Sequence, residues 1–220
     1  MLDKKEKLLK ESLRYLGYRN QKADETVLRL VQEMLDEIHR IANKKYEYQI
    51  FDLQRQEDGT LQFGNIETKS KGLTRNLRNC EKIVVFAATL GTEVDRLQTR
   101  LSIMDMAKAV ILQACAAAVL EEYCDMCQQQ IANEVEKEGY YLRPRFSPGY
   151  GDFSIESQKN IMQLLNCAKK IGLTITDSYM LSPKKSVTAV IGMSRTNEKC
   201  HQSGCEVCEK INCEFRRNIE

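Results

Sequence analysis

The stretch AVILQACAAAVL, residues 109 to 120, limits most strongly what this chain can fold into. It sits inside a segment from Asp105 to about Lys137, rich in Ala, Leu and Met, that reads as one long helix. Ala107, Val110, Ile111, Ala114, Ala118 and Leu120 fall toward its buried side, and the alanines allow neighbouring backbones to approach closely. Gln113 interrupts the run, which is also too short to cross a bilayer. A helix of this kind needs a core to lie in, and 220 residues are enough to build one sizeable domain.

The flanking segments supply the rest of that core. Asp3 and Glu6 resemble a capping box, Leu8, Leu9, Leu13 and Leu16 form a helical stripe, and Gly17 is a stop. From Asp24, Val27, Leu30, Val31, Met34, Leu35, Ile38 and Ile41 recur at the spacing of one buried helix face. YEYQIFDL and LQFGNI, joined across QRQEDGT with its Asp58-Gly59 turn signal, read as a β-hairpin. A short polar helix follows around residues 71 to 79. EKIVVFAAT is then a buried strand by its β-branched run, and Thr92 is placed to cap a helix through about Ser102. After the long helix, Ser154 is placed to cap another, carrying Ile155, Ile161, Leu164, Leu165 and Ala168 and ending at Gly172. Two strands, LTITDSYML and SVTAVIGM, complete the chain around Pro183-Lys184-Lys185. Helices and an antiparallel sheet in separate runs make the fold class α+β. Residues 1–194 are expected to form the domain and 195–220 a Cys-rich tail.

Charge narrows the function. The 33 basic and 31 acidic residues leave +2, spread along the chain, so no electrostatic footprint points to nucleic acid or an anionic membrane. The N-terminal MLDKKEKLLKE lacks the apolar stretch of a signal peptide, so a cytoplasmic location and reduced thiols are expected.

Between the long helix and the next helix lies RPRFSPGYGD, residues 143 to 152, holding two of the three prolines. Pro144 and Pro148 restrict the backbone, while Gly149 and Gly151 permit positive φ or close approach of a ligand. A shaped loop with a guanidinium, exposed amides and an aromatic hydroxyl suits a small ligand bearing a carboxylate and a ring. An ordinary turn between elements is the alternative.

RFSPGYGD, then a helix, then TDSYMLSPKKSVTAVIGMS at 176 to 194 resemble the activation domain of cobalamin-dependent methionine synthase, which binds S-adenosylmethionine. The family pattern is an arginine, three residues and Gly-Tyr, followed by a Thr-x-Ser-aromatic strand and a Pro-x-x-Ser-Val hairpin. LRYLGYR near the N-terminus resembles the small stand-alone members, which occur beside synthases lacking their own activation domain. The resemblance implies that Arg145, Ser147, Gly149 and Tyr150 contact S-adenosylmethionine, with Arg145 on its carboxylate. Arg143 has the wrong spacing for the motif and reads as structural or supporting. A helix glutamate also touches the cofactor in the larger domains, which points to Glu121, with Glu122 adjacent and a solvated helix charge as the alternative. Where the larger domains go on to a ligand-contacting tyrosine, this chain runs into NEKCHQSGCEVCEKINCEFRR, so that contact is missing or replaced.

That tail carries Cys200, Cys205, Cys208 and Cys213 in a C-x4-C-x2-C-x4-C spacing. Four thiolates so placed can close a zinc site or hold an iron–sulfur cluster, with His201 able to replace one ligand; free thiols in a frayed tail are the alternative. Cys124 and Cys127 share a helix face and read as small half-buried hydrophobes.

The function this implies is reactivation of a corrinoid enzyme: S-adenosylmethionine and an electron from a flavodoxin-like or other donor together remethylate inert cob(II)alamin on a methionine synthase lacking its activation domain. No acid–base pair or nucleophile stands at catalytic spacing, so no catalytic residue is assigned. A metal-binding interaction or redox-docking module using the tail is the rival function. A doubly wound methyltransferase is disfavoured because its glycine fingerprint is missing.

Overall fold

Helical and extended segments come in runs. The computed structural model describes residues 4–18 and 21–197, and among them the chain begins with α1 (Lys4–Tyr15), α2 (Glu25–Ile41), β1 (Lys45–Asp52), β2 (Gln54–Arg55), β3 (Leu61–Phe63) and β4 (Ile66–Thr68). It continues through α3 (Lys71–Asn76), β5 (Cys80–Thr89), α4 (Thr92–Met104), α5 (Met106–Val135), β6 (Tyr141–Leu142), α6 (Ser157–Leu164), α7 (Cys167–Ile171), β7 (Thr174–Ile175), β8 (Leu181–Ser182) and β9 (Ser186–Ser194). The fold is α+β, and the four tail cysteines lie outside the described residues.

The chain divides into two units. One holds the described residues through Asn43 together with Leu90–Asp125, and so α1, α2, α4 and most of α5. The Asp24 carboxylate accepts from Val27 N at 2.8 Å and starts α2, whose Val31, Met34, Leu35 and Ile38 are buried as the periodicity predicts. α4 opens differently from the expectation. Gly91, at φ +85°, is its cap, and Thr92 is already its first helical residue. In α5 the register expected for the first turn is also corrected. Val110 is 55% exposed and Ala107 is exposed, while Ile111, Leu112, Ala114, Cys115, Ala116, Ala118, Val119 and Leu120 are buried almost all round. With alanines alternating among larger side chains, every face of this stretch can be enclosed, so periodicity says little about which side is wet.

The other unit, Lys44–Thr89 with the described residues from Met126 onward, contains every strand of the described residues. Its main sheet has the order β1-β5-β9-β6, with each neighbouring pair antiparallel. Central β5 and β9 pair from Thr89↔Ser186 to Cys80↔Ser194. Ile83, Val85 and Ala87 of β5 and Val190 of β9 pack into one core with Leu61, Phe63, Leu73, Phe153, Ile161, Leu165 and Leu173. On the edge strand, Tyr46 and Tyr48 stack and donate to Gln130 and Glu134 in the last turns of α5.

Two strand pairings differ from expectation. YEYQIFDL joins β5, not LQFGNI; the chain bends at buried Leu53, and the Asp58-Gly59 turn instead links the short β2 to β3. LTITDSYML is a hairpin in itself: Thr176 N donates to Met180 O, Tyr179 turns the chain at φ +60°, and β7 pairs β8. The predicted helix after Ser154 is also two helices, broken at Asn166 with φ +52°. Ser154 Oγ accepts from Glu156 N one turn before α6 begins, so it shapes the entry without being the cap residue.

Candidate functional site

The loop 143–153 is held at both ends by the sheet and the core. Arg143 N donates to Gly192 O at 2.8 Å, and Phe146 and Val190 exchange both backbone hydrogen bonds at 2.9 Å. Pro148 is buried, and Phe153 inserts into the core at 1% exposure. Between these anchors Tyr150 N donates to Ser147 O, Phe153 N to Tyr150 O, and Gly149 N to Phe153 O, closing a compact turn. Gly149 takes φ +85° and Gly151 φ +57°, as the glycine spacing predicts. The loop is shaped, with Gly149, Tyr150 and Gly151 on its exposed crest.

The side chains divide by environment. Arg143 is buried, and its guanidinium donates to Arg78 O, so it braces the framework. Arg145 is half-buried, and its Nη1 donates to Gln128 Oε1 at 2.8 Å. The same Gln128 amide donates to Arg143 O at 3.3 Å. One glutamine of α5 therefore holds both the loop backbone and the Arg145 guanidinium. Tyr150 is 57% exposed, with its ring edge-on to Phe146 at 5.3 Å between centroids. Phe146 packs against this ring while more than half of the residue stays exposed. Apart from chain neighbours, no atom lies within 4 Å of where a Cβ on Gly151 would sit. The crest is thus open at Gly151.

Two organising residues were not legible in the sequence. Gln128 is one polar residue among several on its helix, and nothing local marks it. Asp152 closes the loop: its carboxylate accepts from Ser70 Oγ, from Lys71 N at 2.7 Å and from Gly72 N at 3.0 Å, joining the loop to the start of α3. These donors hold its pKa down at about 2, the Ser70 hydroxyl first and the Gly72 and Lys71 amides next.

The structure brings Arg145, Ser147, Gly149 and Tyr150 together on one loop, Ser147 half-buried and the two crest residues exposed. Glu121 lies on the part of α5 that belongs to the other unit and is half-buried. There it helps to raise the Tyr15 pKa, after the larger effect of that tyrosine's own burial. Among the described residues no cluster of His, Cys, Asp or Glu is placed to hold a metal, and no helix is long and apolar enough to cross a membrane. Cys124 and Cys127 are fully buried, more deeply than the half-buried positions expected of them.

The family described as the activation domain of vitamin B12 dependent methionine synthase matches residues 66–204. A similar fold is found in the crystal structure of the MetH reactivation domain bound to AdoHcy, with a TM-score of 0.61 and 18% identity, covering 87% of this chain and 76% of that one. No curated protein is matched by the sequence.

Proposed function

The chain belongs to the family of vitamin B12 dependent methionine synthase activation domains, and from that premise we propose that it binds S-adenosylmethionine at the 143–153 loop and supports reductive methylation of inactive cob(II)alamin on a partner. The partner in this reading is a cobalamin-dependent methionine synthase without an activation domain of its own, and the electron comes from a flavodoxin-like or other donor. The observation that carries the reading is the Arg145 fork held by Gln128 beside the open Gly149-Tyr150-Gly151 crest.

S-adenosylmethionine supplies the methyl group when bound. The chain's own residues bind and orient. Arg145 takes the carboxylate, a charge-assisted contact of about 1.5–3 kcal/mol. Gly149 and Gly151 let the ligand lie against the backbone, Ser147 borders it, and Tyr150 offers a ring face and a hydroxyl. Rate enhancement then comes from positioning the methyl toward the partner's cobalt, with no acid–base group required from this chain. Glu121 is kept as a further candidate contact.

A reconstitution tests the reading. Methionine synthase lacking its activation domain and loaded with cob(II)alamin should become methylated when this protein, S-adenosylmethionine and a one-electron reductant are all present. The cobalamin absorption spectrum reports the change, and an unaltered cob(II) spectrum with every component present would refute the role.

The C-x4-C-x2-C-x4-C spacing supports a second component: one metal centre at Cys200, Cys205, Cys208 and Cys213, either structural zinc or an iron–sulfur cluster. Elemental analysis of anaerobically purified protein separates zinc, iron and a metal-free tail. A tail that binds metal while the loop fails to bind S-adenosylmethionine would favour the metal-binding interaction module instead.

A further inference from the structure

We propose that the cleft between α3 and the β2–β3 turn is a binding site for a small ligand carrying two or more phosphoryl groups, gripped by Lys71, Arg75 and Arg78. The cleft has a volume of about 910 Å³, within the range of about 300–1,000 Å³ usual for small-molecule sites. Five cationic side chains line it, against the two carboxylates of Asp58 and Asp152.

The commitments of these groups define what remains for a ligand. Lys69 pairs with Asp58 at 2.7 Å. Arg55 is a strut, its Nη2 donating to Leu77 O at 2.7 Å and Cys80 O at 2.9 Å. Asp152 spends its oxygens on Ser70, Lys71 N and Gly72 N, so it fills the start of α3 and its charge is met there. Lys71, Arg75 and Arg78 are different: each is exposed, each lines the cleft, and no carboxylate of the described residues pairs with any of them. Arg75 and Arg78 stand three positions apart across the end of α3, where Arg78 N donates to Arg75 O.

Three like charges around one concavity repel one another until an anion enters. A single carboxylate would engage one guanidinium and leave the others uncompensated. Adjacent phosphoryl groups offer several oxygens in the geometry that arginine forks take bidentately, with the lysine as a point charge. The concavity favours a compact anion over an extended polyanion, and the net charge of +2 on the whole chain gives no general attraction for nucleic acid.

This inference goes beyond the loop's assigned ligand, and its test contains no S-adenosylmethionine. Inorganic tripolyphosphate is titrated calorimetrically into the full-length protein in low-salt buffer free of divalent cations, with ATP and inorganic phosphate as parallel arms. Tripolyphosphate should bind saturably, more tightly than phosphate, and more weakly as salt is raised. The double variant Arg75→Gln/Arg78→Gln should weaken it by about tenfold or more, and Arg75→Lys/Arg78→Lys, which keeps charge but not the forks, by less. Arg96→Gln, an exposed arginine paired with Glu93 on α4, should change nothing. Tighter binding of ATP than of tripolyphosphate identifies a nucleotide as the source of the phosphoryl groups, and the reverse order identifies free polyphosphate. Circular dichroism checks that each variant is folded. The proposal is overturned if neither anion binds saturably, if the folded double glutamine variant binds as well as wild type, or if Arg96→Gln weakens binding equally. An acidic peptide that binds where the anions do not would likewise overturn it, making the cleft a protein-docking surface.

Discussion

Gly149→Ala isolates the backbone requirement of the loop crest. At φ +85° an L-residue pays for its Cβ against the following carbonyl, about 1–2 kcal/mol. The new methyl would also meet Ile155 Cδ1 at 3.0 Å. That atom is the end of a side chain 40% exposed, which can rotate away, so backbone strain is the larger effect. For a chain of this size each kcal/mol lowers Tm by roughly 2–4 °C, which puts the variant roughly 2–8 °C below wild type. Thermal unfolding of Gly149→Ala, Ile155→Ala and the double variant separates the two causes. Backbone strain predicts that the single effects add within about 0.5 kcal/mol, because removing the Ile155 methyl cannot relieve φ. Recovery of Gly149→Ala by Ile155→Ala, or a Gly149→Ala protein as stable as wild type, would refute the reasoning. Gly151→Asn is the contrasting case: φ +57° is accessible to asparagine and the site is open, so its stability should stay within about 0.5 kcal/mol of wild type.

Gly192→Ala in β9 would place a Cβ 2.6 Å from Cys80 Sγ and 2.8 Å from Leu77 Cδ2. Overpacking of that kind costs about 1–3 kcal/mol, read as a lower urea midpoint at unchanged slope, and Cys80→Ala should restore part of it. For Asp152, the folded pKa of about 2 lies below the ordinary carboxylate value near 4, so the unfolded state binds the proton more readily. Its contribution to stability is therefore complete above about pH 4 and is lost as pH falls through about 2. Urea midpoints measured across that window should fall less steeply for Asp152→Asn than for wild type, and identical slopes would show that the contact with α3 contributes nothing.

What the sequence made legible follows the range of the physics involved. Local signals held: the apolar periodicity after Asp24 marks the buried face of α2, the β-branched run of β5 is buried, and the Pro/Gly pattern of 143–152 gives a loop with glycines at positive φ. Strand partnership did not, because it is decided by contacts far apart in the chain. A strong Asp58-Gly59 turn signal suggested that its flanking strands pair along their length, yet buried Leu53 diverts YEYQIFDL to β5 and leaves the turn to a two-residue strand. Tyr179 at positive φ was equally hidden, since an aromatic residue gives no turn signal. In the candidate site, the shaped crest was visible from its Pro/Gly spacing, and Arg145 was singled out through the family resemblance. Gln128 and Asp152 were not, because each acts through a partner that is distant in sequence.

Calorimetric titration of S-adenosylmethionine into the full-length protein, into Arg145→Ala and into Arg143→Ala tests the central claim most directly. The account predicts saturable binding to wild type and a loss of roughly ten- to a hundredfold for Arg145→Ala, the equivalent of one charge-assisted contact. Arg143→Ala, which removes a buried brace, should lower thermal stability while costing the folded protein less affinity than Arg145→Ala. Absence of binding to wild type, or equal loss of affinity in the two folded variants, would contradict the assignment of the loop.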